Sequence, residues 1–233
     1  MSIFDYQLQR SSRRKTLAVV IRRGEVKVMA PDFVPVHVID EFVAARQGWI
    51  ESKLNLQQGT VDREAQFAKQ YIKGECFLLF ERQLSLNVVS GAKSWVDLHG
   101  DELVLSLSSR ITEAKRFDTS QKLVQNWYKK QMSQYLQLQL PALAQLIGVD
   151  YQRIVVRSYK RRWGSCTRSG VLSFNLLLAM APRFVVDYVI IHELCHRVHM
   201  NHSADFWNLV SHHCKGYKNA KQWLVDNAEK IQL

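Results

Sequence analysis

No CxxC pair occurs in this chain; its four cysteines, Cys76, Cys166, Cys195 and Cys214, are widely separated. No stretch approaches the ~20 continuous apolar residues of a membrane span. The longest apolar runs, "LAVVI" and "LLLAMA", suit strands or buried segments. The first sixteen residues, "MSIFDYQLQRSSRRKT", lack an apolar core region and a cleavage site, so no secretory signal is expected. With no export signal, the cysteines read as reduced thiols of a cytoplasmic protein. Internal repeats and low-complexity stretches are missing too. Acid is absent from a long segment: Tyr151 to Val186 carries Arg153, Arg157, Lys160, Arg161, Arg162, Arg168 and Arg183 and no Asp or Glu.

What is present is enough apolar material for a sizeable core. The 233 residues are 47% hydrophobic, which fits one large domain or two small ones. The 32 basic and 21 acidic residues leave a net charge of +11. Such a field concentrates anionic partners, whether nucleic acid, nucleotide or acidic protein. A second basic cluster, Arg10, Arg13, Arg14, Lys15, Arg22 and Arg23, lies near the start. Either cluster can also be read as a solvated face.

Both secondary-structure periods occur, so the expected class is α+β. "KTLAVVIRRGEVKVMAP" reads as two strands joined at Arg23-Gly24. Val38, Phe42, Ala45, Trp49 and Leu56 then recur at helical spacing and can share a face. "ECFLLFERQLSLNVV", "SWVDL" and "ELVLSLS" read as short strands, with turns at Glu81-Arg82 and His99-Gly100-Asp101. From Thr112 the chain is strongly helical up to Gly148, with Pro141 marking a break or kink. "RIVVRSY" and "VLSFN" read as strands flanking the basic "KRRWGSCTRSG". Pro182 suits the first turn of a helix that runs to about His199. Two closing helices follow, the first capped by Ser203. A β-rich region with a helix is therefore expected over 1–111 and an α+β region over 112–233, with a soft boundary or a single compact unit.

"VIIHELCHRVHMNH" concentrates the chemistry. His192 and His196 are four residues apart, so on a helix they differ by about 40° and share a face. Two imidazoles so placed reach one zinc ion. Glu193 borders the site, where it can take a proton from a metal-bound water and pass it to a leaving group. This is the HExxH arrangement of zinc hydrolases. A catalytic zinc needs a third protein ligand and an open position. His202 is a good candidate, because a chain turn at Asn201 can bring it back. His199 and Asp205 remain alternatives.

The sequence resembles the YgjP-like metallopeptidases, a zinc-dependent group of zincins. The similar segments are "RRKTLAVVIRRGEVKVMAP", "YIKGECFLLF", "RRWGSCTRSGVLSFNLLLAMAP" and, most tellingly, "DYVIIHELCHRVHMNHSADFW". The resemblance implies a C-terminal zincin-like part with zinc on His192, His196 and His202, and Glu193 as general base. The spacing from His192 to His202 equals that of metzincins, but His199 stands where they need glycine. All five methionines precede His202, so no downstream Met-turn exists and metzincin membership is rejected. A third ligand of the gluzincin type would be a downstream glutamate, and only Glu229 lies beyond His202.

In "RRWGSC", Arg162 and Trp163 are candidates for substrate binding or oxyanion stabilisation, against a surface charge and a packing anchor. His199 is a further candidate for polarising substrate, or else an exposed helix-end residue. Cys195 reads as a small buried residue, and no thiol nucleophile is expected at Cys166. His212, His213 and Cys214 read as ordinary helix residues, and Trp207 and Trp223 as packing. The expected activity is zinc-dependent cleavage of peptide bonds in a protein or peptide substrate. Two alternatives use the basic segments 10–23 and 151–186: a zinc-dependent nucleoside triphosphate hydrolase, or a protease acting on DNA-bound proteins.

Overall fold

The computed structural model describes residues 5–22, 24–55 and 67–233, which fall into two compact units, 1–66 and 67–233. In the first unit β1 (Gln7–Ser11), β2 (Ala18–Arg22) and β3 (Glu25–Pro31) form a sheet of order β1-β3-β2. The strand drawn last lies in the middle, parallel to β1 and antiparallel to β2. Gly24 sits at the expected turn with φ +79°, a conformation open to glycine; Arg23 lies outside the described residues. Along β3 the period of two sends Val26, Val28 and Ala30 inward. They meet Ile39 and Val43 of α1 (Val36–Ala44) and Ile50 of the helical residues 47–55, α2.

That packing corrects the expected helical face. Val38 and Trp49 are exposed, while Ile39, Val43 and Ile50 are buried. Both stripes have the helical period and lie about 100° apart, so spacing alone does not choose between them. The wholly aliphatic stripe packs on the sheet. Leu56 lies outside the described residues.

The second unit opens with β4 (Cys76–Leu79), β5 (Arg82–Gly91), β6 (Trp95–His99) and β7 (Glu102–Ser108), in order β4-β5-β7-β6. Again the last strand, β7, lies inside, parallel to β5 and antiparallel to β6. α3 (Glu113–Ile147) follows, then β8 (Arg153–Arg157), β9 (Gly164–Cys166) and β10 (Val171–Asn175) in order β8-β10-β9. A 3-10 turn at Leu176–Met180 leads into α4 (Arg183–Cys195), α5 (Ala204–His213) and α6 (Tyr217–Asn227). The mixed architecture is α+β, as expected.

The soft boundary expected at 111/112 is crossed by one core. Leu84, Leu86, Leu103 and Leu105 of β5 and β7 share a buried cluster with Val124, Tyr128, Met132 and Leu136 of α3. The compact units divide at 66/67. α3 also runs unbroken past Pro141, which lacks an amide to donate, because Leu140 and Ala144 anchor the helix on either side. It ends at Gly148, left-handed at φ +78°, whose N–H donates to the Ala144 and Gln145 carbonyls.

Two bonds fix α4. Tyr135 of α3 donates its hydroxyl to Asp187 Oδ1 at 2.7 Å. The Arg183 N–H donates to Glu81 Oε1 at 2.7 Å, placing a carboxylate at the helix N-terminus where the dipole favours it. Among the described residues no helix is long and apolar enough to cross a membrane.

Candidate metal centre

α4 is apolar nearly all round: Val185, Val186, Tyr188, Val189, Ile190, Ile191, Leu194 and Cys195 are all buried. A helix of that pattern belongs in a core, and it carries His192 and Glu193 in with it. The helix stops earlier than periodicity suggests, at Cys195, with His196 as its C-cap. There the ladder tightens, as Arg197 N–H donates to Leu194 and Val198 N–H to Cys195. The Arg197 guanidinium pins this end. It donates to the Asp150 carbonyl at 3.0 Å, to Asp150 Oδ1 at 3.1 Å and to the Arg168 carbonyl at 2.9 Å.

The chain then returns. Ser203 Oγ accepts the Phe206 N–H at 3.4 Å and starts α5, so His202, one residue before the cap, comes back to α4. Its Nε2 lies 3.1 Å from His192 Nε2. Two nitrogens on one tetrahedral zinc lie about 3.4 Å apart, so this pair is already at near-ligand spacing. Donor atoms of His192, His196 and His202 all lie within 4.8 Å of one another. Among the described residues this cluster does not include His199, Asp205 or Glu229.

His196 is fixed by its second nitrogen. Nδ1 is 3.0 Å from the His199 carbonyl oxygen, and donating there leaves Nε2 as the lone-pair atom. His199 thus enters through its backbone carbonyl, a contact that neither reading of its ring, as a substrate-polarising group or as an exposed helix-end residue, includes. Aromatic rings pack against these imidazoles: His196 stacks on Phe206 at 4.5 Å between centroids and His202 on Trp207 at 5.7 Å. Trp207 in turn stacks on Tyr217, under the Lys221 ammonium. Burial, then the neighbouring His196, His202 and Lys221, push His192 down to about 3, and burial also lowers His196. Both rings are therefore neutral at pH 7, the form that binds a metal. These donors fit a zinc ion by type and by spacing.

Glu193 is 5% exposed, and its Oε2 has no hydrogen-bond partner. Burial raises its carboxyl to about 8, with the Arg162 charge acting in the opposite sense. The carboxylate rests on the backbone of β9. A Cβ at Gly164 would stand 2.5 Å from Glu193 Oε1 and 2.8 Å from its Cδ, so only glycine allows this approach.

The segment before β9 is held by Asn175, which is almost wholly buried. Its Nδ2 donates to the Tyr159 carbonyl at 2.9 Å and the Arg162 carbonyl at 3.1 Å, and its own N–H donates to Trp163. Arg162 itself is exposed, its guanidinium 4.8 Å over the Tyr159 ring. Trp163 is half-buried and lines a cavity of about 190 Å³ beside His192 and Glu193. The other cations of the acid-free stretch, Arg153, Arg157, Lys160, Arg161, Arg168 and Arg183, are exposed as well.

Sequence reasoning missed Asn175, Tyr188 and the stacking role of Phe206 and Trp207. Nothing in "VLSFN" marks its last residue as an anchor. Cys195 is buried as expected, its thiol pushed up to about 12 by burial.

The sequence matches the family described as "YgjP-like, metallopeptidase domain" over residues 15–227. No curated protein and no solved structure gives a significant match.

Proposed function

The chain belongs to the YgjP-like metallopeptidase family, and on that premise we propose that it is a zinc-dependent peptidase with Glu193 as general base. The observation that carries this reading is the meeting of three imidazole donors, two from the last turn of α4 and one from the segment before α5, with a buried carboxylate whose Oε2 has no partner. His192, His196 and His202 hold the ion, and three protein ligands leave a position open. When bound there, zinc supplies Lewis acidity, lowering the pKa of a water and polarising a carbonyl.

The chain supplies the rest. Glu193 Oε2 has no partner to lose, so it accepts the proton of the attacking water and passes it to the leaving amine. Burial, partly offset by the Arg162 charge, holds this carboxyl near 8, and a dication alongside would lower it, so that it is ionised when it must act as a base. Gly164 keeps the carboxylate in place, and the His199 carbonyl keeps Nε2 of His196 turned to the ion. Arg162, whose charge reaches Glu193, supplies positive potential for the developing oxyanion.

A nucleotide substrate is the second reading, favoured by the exposed cations of 151–186. The cavity at the site argues against it, since about 190 Å³ falls short of the ~300–1,000 Å³ of small-molecule pockets. Zinc-loaded protein offered unstructured peptides and nucleoside triphosphates should cleave peptides only. Glu193→Gln should keep zinc and lose about 10²–10⁴-fold in rate. Pyrophosphate release without peptide cleavage, or full activity in Glu193→Gln, contradicts the reading.

A further inference from the structure

The cavity beside the candidate metal centre is built by three elements. Trp163 and Gly164 come from the β9 side, Tyr188 and Val189 from α4, and Leu224 from α6. His192 and Glu193 form its remaining wall. Tyr188, Val189 and Leu224 are 5%, 4% and 7% exposed, so packing fixes the cavity's shape.

Its size selects what enters. A dry apolar cavity of about 150 Å³ holds one benzene, so about 190 Å³ holds a single phenyl or isobutyl group. Its chemistry selects further. A lysine or arginine side chain here would pair with Glu193 and tie up the base. A carboxylate would meet Glu193 as a like charge, with apolar walls that cannot solvate it. A small side chain would leave the walls without contacts.

Resting on the peptidase reading, we infer that this cavity is a specificity pocket for one large neutral apolar side chain flanking the scissile bond, with Leu224 setting its size. Leu224 lies outside every motif of the metal helix and approaches the reacting groups only because α6 closes over α4.

The test is a cleavage profile on peptides that differ at one position, using zinc-loaded wild type, Leu224→Phe and Leu224→Ala. Wild type should prefer Leu or Phe over Ala by about tenfold or more in kcat/KM, since each methylene in such a pocket is worth about 10–200-fold. Leu224→Phe should reduce that ratio at least tenfold, and Leu224→Ala should extend acceptance to Trp. A ratio does not depend on the folded fraction, so partial unfolding of a variant does not blur the result. As a readout apart from turnover, calorimetric binding of the same peptides to Glu193→Gln should rank them in the same order. The Leu224 changes made in that background should shift the order in the same direction. Peptide cleavage with a preference that ignores residue 224 overturns the pocket. Absence of any peptide cleavage by wild type contradicts the peptidase reading itself.

Discussion

The sheet of the first unit and the β8-β10-β9 sheet of the second share one plan. In each, the strand drawn last lies between the other two, parallel to the first and antiparallel to the second. Their surroundings differ. In residues 5–55 the sheet meets its helices through aliphatic side chains, Val26 and Val28 against Ile39 and Val43. In the second unit α4 approaches the edge strand β9 so closely that a carboxylate rests on bare backbone at Gly164. The same strand order therefore accompanies a purely aliphatic helix contact in one place and a buried carboxylate against backbone in the other. Chemistry comes from the close approach and from what the helix carries, and not from the topology.

That contrast can be broken at several points, in decreasing order of effect on activity. Gly164→Ala places a Cβ where Glu193 sits, and kcat/KM should fall about 10²-fold, the scale of a 1 Å misplacement. Zinc content should stay at the wild-type level, and an unchanged rate would show that the approach is not needed. Asn175→Ala leaves the Tyr159 and Arg162 carbonyls without their donor and releases the segment that leads into β9. Urea unfolding should report a loss of about 1–3 kcal/mol, with a smaller fall in activity than at Gly164. Ile39→Ala empties space in the first core, and its unit should lose about 2–5 kcal/mol by hydrogen exchange. Zinc content and kcat/KM should not change. A matching loss of activity would tie the two units together functionally.

Much of the candidate site was legible before any coordinates. His192, Glu193 and His196 follow from helical spacing, since four residues return the chain to the same face. His202 could be placed only as one candidate among several, because its return depends on the turn ending at Ser203 and on stacking against Trp207. His199 shows the limit plainly. Its ring drew attention in the sequence, whereas its carbonyl, which any residue carries, makes the contact. Strand positions were legible from alternation, but not their order, since central placement of β3, β7 and β10 depends on long-range pairing. The buried face of α1 was ambiguous because two apolar stripes ran side by side.

Zinc-edge X-ray absorption on stoichiometrically loaded protein, wild type beside His202→Ala, tests the metal centre most directly. The account predicts three imidazole nitrogens at about 2.0–2.1 Å in wild type and one fewer in the variant. An imidazole count that His202→Ala leaves unchanged, or a wild type that binds no stoichiometric zinc, would contradict it.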